Sequence, residues 1–177
     1  MSAAALPVPG WFALLLLAVA GERSAELLTS ARHARWARAR GGVEHGRGHY
    51  PAMVAVHCGL LAGAAAEVAL CDRPFVPALG WPALGATAAA QVLRWWCVRS
   101  LGPRWNTRVI VVPGLPLERR GPYRRLRHPN YAVVAVEGVA LPLVHGAWLT
   151  ALAFTVANAA VLAVRLRVEN AALEAAS

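Results

Sequence analysis

"ERRGPYRRLRHPNY", residues 118–131, crowds five arginines, a histidine, two prolines and two tyrosines into fourteen positions. The most apolar part of the chain follows it, from Tyr131 to about Val164, turned near "LPLVHGAW". Gly121-Pro122 interrupts any regular element, and Pro129 suits the first turn of a helix, where its missing N–H costs nothing. His128 then sits at or near the N-cap, with Tyr131 three residues on and on roughly the same face. A helix start offers unpaired N–H groups that favour an anion, and the arginines strengthen that preference. The arginines alone need be no more than a positively charged anchor at a membrane surface. The histidine, both tyrosines and the glycine-proline break together ask for a polar binding role.

Composition says what surrounds this stretch. Of 177 residues, 58% are hydrophobic and only 15% charged, with mean hydropathy +0.45. A soluble domain carries about 45–50% apolar and about 25% charged residues, so the excess apolar surface must face lipid. The expectation is an all-α integral membrane protein, one domain over 1–177, with five transmembrane helices at about 10–30, 51–70, 75–96, 129–144 and 147–168. The last two form a hairpin. A bilayer crossing needs about 20 helical residues, so that pair is short. The connector before it, "TRVIVVPGLPLE", is too short and proline-broken to span and reads as irregular or β-like at the cytosolic surface.

Charge orients the chain. All eighteen basic residues are arginines. They gather between spans one and two (Arg32, Arg35, Arg38, Arg40, Arg47), between Arg94 and Arg127, and at Arg165 and Arg167. The positive-inside rule then puts the N-terminus outside and the C-terminus in the cytoplasm, in the inner membrane of a bacterium whose genome favours arginine and alanine codons. Trp11, Trp81, Trp95, Trp96 and Trp148 fall near span ends, as interfacial anchors would. The net charge of +9 is thereby explained by cytoplasmic loops, and with no nucleic-acid motif no nucleic-acid partner is expected. "WFALLLLAVA" has no basic region before it and does not read as a cleavable signal. Cys58, Cys71 and Cys97 have neither metal nor redox spacing; no metal site is expected, and the three read as small buried residues.

Three further features carry chemistry. In "RLRVENAAL", residues 165–173, Arg165 and Glu169 are spaced i, i+4 and share a face; the hairpin returns them to the level of His128. Glu26, Glu67 and Glu137 lie in apolar spans, where a charge must be paired or functional. "GGVEHGRGHY", residues 41–50, reads as a glycine-rich loop whose Glu44, His45, His49 and Tyr50 face a substrate.

The combination "GPYRRLRHPNY" and, about 35 residues later, "RLRVEN" resembles the isoprenylcysteine carboxyl methyltransferase family of integral membrane enzymes. Its pattern is G-x-Y, then R-H-P-x-Y, an apolar hairpin, and R-x-x-x-E-E. The resemblance is specific over about 109–173, and the N-terminal half is similar to small bacterial members. It implies S-adenosylmethionine as methyl donor, lined by Leu115, Pro116, Leu117, Glu118, Tyr123, His128, Pro129, Asn130, Tyr131, Ala132 and Glu169. Arg165 would face the acceptor, making Arg165 and Glu169 the catalytic pair, with His49 and Tyr50 on the substrate side. One departure is plain: the second glutamate of the family pattern is Asn170 here. The implied reaction is methyl transfer at the cytosolic face to a carboxylate or hydroxyl of a lipophilic acceptor, such as an isoprenylcysteine-like acid or an alkylated phenol or pyrone. Its rivals are an NADPH-dependent membrane reductase of similar architecture and a non-catalytic membrane scaffold or transporter.

Overall fold

A computed structural model describes residues 8–116 and 118–175. Five long helices carry the described chain: α1 (Gly10–Arg38), α2 (Tyr50–Leu70), α3 (Pro77–Leu101), α4 (Pro129–Leu143) and α5 (Trp148–Ala175). Pro9, Pro51, Pro77 and Pro129 mark or adjoin helix starts, where a fixed φ is favourable. α4 and α5 are joined by four residues and pack on one another; Gly138 makes this possible, since a Cβ there would lie 1.8 Å from the Phe154 ring. The β-like connector is real: β2 (Val109–Val111) pairs antiparallel with β1 (Val43–His45), Val43 opposite Val111. The stretch expected to be a simple loop therefore supplies a strand and a one-turn 3-10 helix, Arg47–His49.

By length and apolarity α2 and α5 qualify as membrane spans. The other three fall short for separate reasons. α1 runs unbroken for 29 residues, but its second half carries Glu22, Arg23, Glu26, Arg32, Arg35 and Arg38. α3 is diluted by glycine, proline, Gln91, Arg94 and Arg99. α4 has 15 residues, about 22 Å of helix against a hydrocarbon core of about 30 Å. Apolar side chains nonetheless cover much of the outside, Leu14, Leu17, Leu70, Val92, Leu152 and Val156 among them. Trp11, Trp81, Trp95, Trp96 and Trp148 are all exposed, whereas Trp105 is buried. Cys97 is buried as expected, but Cys58 on α2 and Cys71 just past its end are exposed.

The apolar core occupies one end of the bundle, where Phe12, Leu16 and Val19 of α1 meet Leu60, Ala64 and Val68 of α2 and Leu141, Val144 and Phe154. The middle is braced by charge. Arg23 of α1 donates to both Glu137 oxygens at 2.8 and 3.0 Å and to Glu26 at 2.6 Å, and Arg94 of α3 reaches Glu137 at 2.7 Å. Glu67 has a different task. It accepts from the Leu149 and Thr150 amides at 3.2 and 2.7 Å and the Thr150 hydroxyl at 2.8 Å, neutralising the N-terminus of α5. Glu26, Glu67 and Glu137 are thus all paired. Because Glu137 holds two arginines in a low-dielectric setting, Glu137→Leu is expected to destabilise the protein by about 3–5 kcal/mol. Thermal unfolding in detergent measures this; a loss under about 1 kcal/mol would refute the bracing role.

Candidate functional site

The opposite end of the bundle gathers the polar chemistry. Gly121 has φ +55°, and a Cβ there would sit 2.2 Å from Ser100 Oγ, so the chain can only pass α3 this closely without a side chain. Its turn leads through Tyr123 to His128, which stands at the N-cap of α4 with φ −131° and ψ 60°. The imidazole makes no capping bond and turns instead to α5.

There it enters a continuous relay. Arg165 Nε donates to Tyr131 Oη at 2.7 Å, and that hydroxyl donates to Glu169 Oε2. Glu169 Oε1 lies 3.5 Å from His128 Nδ1, and His128 Nε2 lies 3.1 Å from Asn170 Oδ1. The His128 and Tyr131 rings stack at 5.3 Å with 20° between planes. Arg165 and Glu169, read from spacing as a direct pair, are 4.0 Å apart because the Tyr131 hydroxyl stands between them. The Glu169 hydrogen bond raises the His128 pKa above its ordinary value. When the ring is protonated both nitrogens donate, and Asn170 provides an acceptor without a second negative charge. Where the family pattern has a second glutamate, His128 thus meets a neutral amide.

Arg165 is 7% exposed and is anchored twice more: Nη1 donates to the Thr107 carbonyl at 2.5 Å and lies 3.2 Å from Met53 Sδ. Its Nη2 makes no hydrogen bond among the described residues. Thr107 and Asn106 are tied to α1 through Ser30, whose hydroxyl donates to Asn106 Oδ1 at 2.7 Å and accepts from the Thr107 amide at 3.0 Å.

Two cavities meet at this arginine. The first, of about 420 Å³, lies among the connector, the arginine-rich stretch and the ends of α4 and α5. The second, of about 290 Å³, lies among α1, α2, α4 and α5. Trp105, Asn106, Asn130, Tyr131 and Arg165 line both and form the wall between them.

Most of the residues expected at a cofactor meet in the first cavity: Leu115, Pro116, Glu118, Tyr123, His128, Asn130, Tyr131 and Glu169 all line it. Two do not. Pro129 is fully buried in the first turn of α4, and Ala132, one residue past Tyr131 and so turned about 100° from it, is exposed. Leu117 lies outside the described residues. Glu118 is held by Arg120 at 2.9 Å, which brings its carboxyl down to about 2. On the substrate side Tyr50 lines the second cavity, with its hydroxyl 3.5 Å from Thr107 Oγ1. His49 ends the turn before α2 and lines neither cavity. Glu44 is clamped by Arg38 and Arg108, both at 2.7 Å, and so is a brace for β1. Arg119, Arg120, Arg124, Arg125 and Arg127 are exposed, in keeping with a surface anchor.

The pattern of the isoprenylcysteine carboxyl methyltransferase (ICMT) family matches residues 83–175. The chain belongs to that family. Membership makes it a methyltransferase by class, acting on a membrane-associated acceptor. It is also 36% identical over 165 residues to the Bacillus subtilis (strain 168) protein YpbQ, described as uncharacterized, covering 93% of this chain and 96% of that one. No solved structure matches it. The family segment contains every relay residue, but Met53, Ser30 and the α1 and α2 walls of the second cavity lie outside it. Trp105, Asn106 and Thr107 were missed by the sequence reading; the only local signal was a short polar run directly after a helix end.

The relay has a pH signature. A histidine whose folded pKa is raised contributes stability that is complete below its unfolded value of about 6.5 and is lost as pH climbs through the raised value. His128→Gln should therefore cost most near pH 6 and progressively less towards pH 9, measured by thermal unfolding of both proteins in detergent. A gap that widens with pH would invert the assignment.

Proposed function

We propose that this family member moves a methyl group from S-adenosylmethionine, held in the first cavity, to an oxygen of a lipophilic acceptor held in the second. The observation that carries the reading is the shared wall: the relay around Arg165 faces both cavities at once. The residues of the first cavity suit a zwitterionic nucleoside. Trp105, Tyr123 and Leu115 offer surfaces for a base, while Glu118 and Glu169 suit its cationic groups and the surrounding arginines its carboxylate. Asn130 Oδ1 is buried without a partner and is available to a hydroxyl or ammonium.

When bound, the cofactor would supply an electrophilic methyl carried on a sulfonium. The chain's own work is positioning, which can lower a barrier by about 7–11 kcal/mol. Arg165 uses Nε and Nη1 to fix itself to Tyr131 and Thr107, leaving Nη2 to bind the acceptor's oxyanion. A carboxylate arrives ionised, so guanidinium alone can orient it; a phenol with a pKa near 10 additionally needs its phenolate stabilised by that charge. Tyr131 takes part as a neutral hydroxyl that fixes Arg165 while presenting its ring to both cavities. Glu169 and His128 hold Tyr131 through the hydroxyl and the stacked ring. Ser24, Leu27 and Cys58 line the second cavity and are themselves exposed, so it opens between α1 and α2 for lateral entry from lipid.

Calorimetry on detergent-purified protein tests the reading. S-adenosylmethionine and its demethylated product should bind in the micromolar range and NADPH should not; the reverse would favour a reductase. His128→Ala and Glu169→Ala should each weaken cofactor binding at least tenfold in a protein that remains folded. Arg165→Ala should retain cofactor affinity yet lose transfer of radiolabelled methyl; parallel loss of both would overturn the division between the cavities.

A further inference from the structure

The second cavity holds more polar chemistry than a purely hydrocarbon acceptor requires. Asn158, near the middle of α5, is 8% exposed and lines this cavity, yet its amide makes no hydrogen bond among the described residues. The amide is therefore open to a polar group of whatever fills the cavity. His57 on α2 lines the same space. Its Nδ1 lies 2.8 Å from the Met53 carbonyl, which can only accept; Nδ1 therefore carries the hydrogen, and the neutral ring keeps its lone pair on Nε2. That nitrogen also has no partner among the described residues. The ring stands edge-on to Phe154 at 5.6 Å, and Phe154 is one turn from Asn158, so the two polar groups sit at neighbouring levels.

Their distance from the reacting end follows from helix geometry. Met53 touches Arg165, and His57 lies one turn beyond Met53 on α2. Asn158 lies two turns before Arg165 on α5, with Val161 and Leu162 between them. The two polar ends are thus about 5–10 Å apart along an apolar wall. Glu26 Oε1 and Arg94 Nε are buried without partners, but both side chains are already engaged in the ion cluster with Arg23 and Glu137.

We propose that His57 and Asn158 form a second polar subsite for the acceptor, taking a hydroxyl about 5–10 Å from the oxygen that is methylated. This rests on the second cavity being the acceptor's. A hydroxyl matches the pair in both senses: its hydrogen goes to His57 Nε2 and its oxygen accepts from the Asn158 amide. The acceptor is then a compact lipophilic molecule with oxygen at two places, distinguished from a plain hydrocarbon-tailed acid by this contact.

Two probes differing only in that group test it: 2-naphthoate, and 6-hydroxy-2-naphthoate, whose hydroxyl lies across two fused rings from its carboxylate. Binding of each is measured by calorimetry to detergent-purified protein, with and without S-adenosylhomocysteine. The hydroxylated probe should bind about three- to tenfold more tightly. His57→Phe, which keeps the edge contact with Phe154, and Asn158→Leu should each bring that ratio to about one while 2-naphthoate affinity stays within about twofold. If Asn158→Leu does not fold, His57→Phe alone decides. Equal binding by the unaltered protein, a ratio that survives His57→Phe, or no binding of either probe overturns the subsite. An intact ratio with no S-adenosylhomocysteine binding would support the subsite and sink the methyl-transfer reading instead.

Discussion

A guanidinium buried at the junction of two cavities governs the rest of this structure. Arg165 is removed from water, and among the described residues no carboxylate approaches it closer than Glu169 at 4.0 Å. Stranding such a charge is costly, so its bonds must come from fixed neutral groups. They do: a tyrosine hydroxyl from α4 and a backbone carbonyl from the connector. Each of these needs support in turn. Tyr131 is held by Glu169 and His128, while Thr107 is held by Ser30 of α1. The polar residues at this end of the bundle can be read as successive shells around one buried charge.

The helices are held at a spacing that leaves the second cavity open. Apolar packing closes the far end, where Phe12, Leu141 and Val144 are fully buried. In the middle, the Arg23–Glu137–Arg94 cluster links α1, α3 and α4 by charge. Ion pairs have a defined length, so they set a separation that hydrophobic contact alone would tend to close. The second cavity lies directly beside this cluster, bounded by Arg23, Glu26 and Arg94.

What could be read in the sequence follows from the range of the interactions involved. His128, Tyr131, Arg165 and Glu169 were legible because each lies near a helix end or at helical spacing from its partner. The intervention of Tyr131 between Arg165 and Glu169 was not, since it depends on the rotation of α4 against α5. The same limit hid Thr107, whose carbonyl meets a side chain 58 positions away. Pro129 and Ala132 came from the family resemblance as part of a continuous run, but adjacency on a helix puts neighbours on different faces. Hydropathy found the apolar segments, yet it could not say that α4 stops after 15 residues or that α1 continues for 29. Glu137 showed that it needed a partner; that the partners are two arginines from different helices is a property of the assembled bundle.

The two cavities draw on the chain unequally. Apart from Trp36 and Ala37, the lining of the first comes entirely from residues beyond 100, within the segment that carries the family pattern. Half of the second is supplied by α1 and α2, which precede that segment. The two pockets are therefore built from largely different lengths of chain. Substitutions in the first seventy residues can reshape the second pocket while the first stays intact. The short β1–β2 pairing is the seam that ties the segment before the family pattern to the segment that carries it.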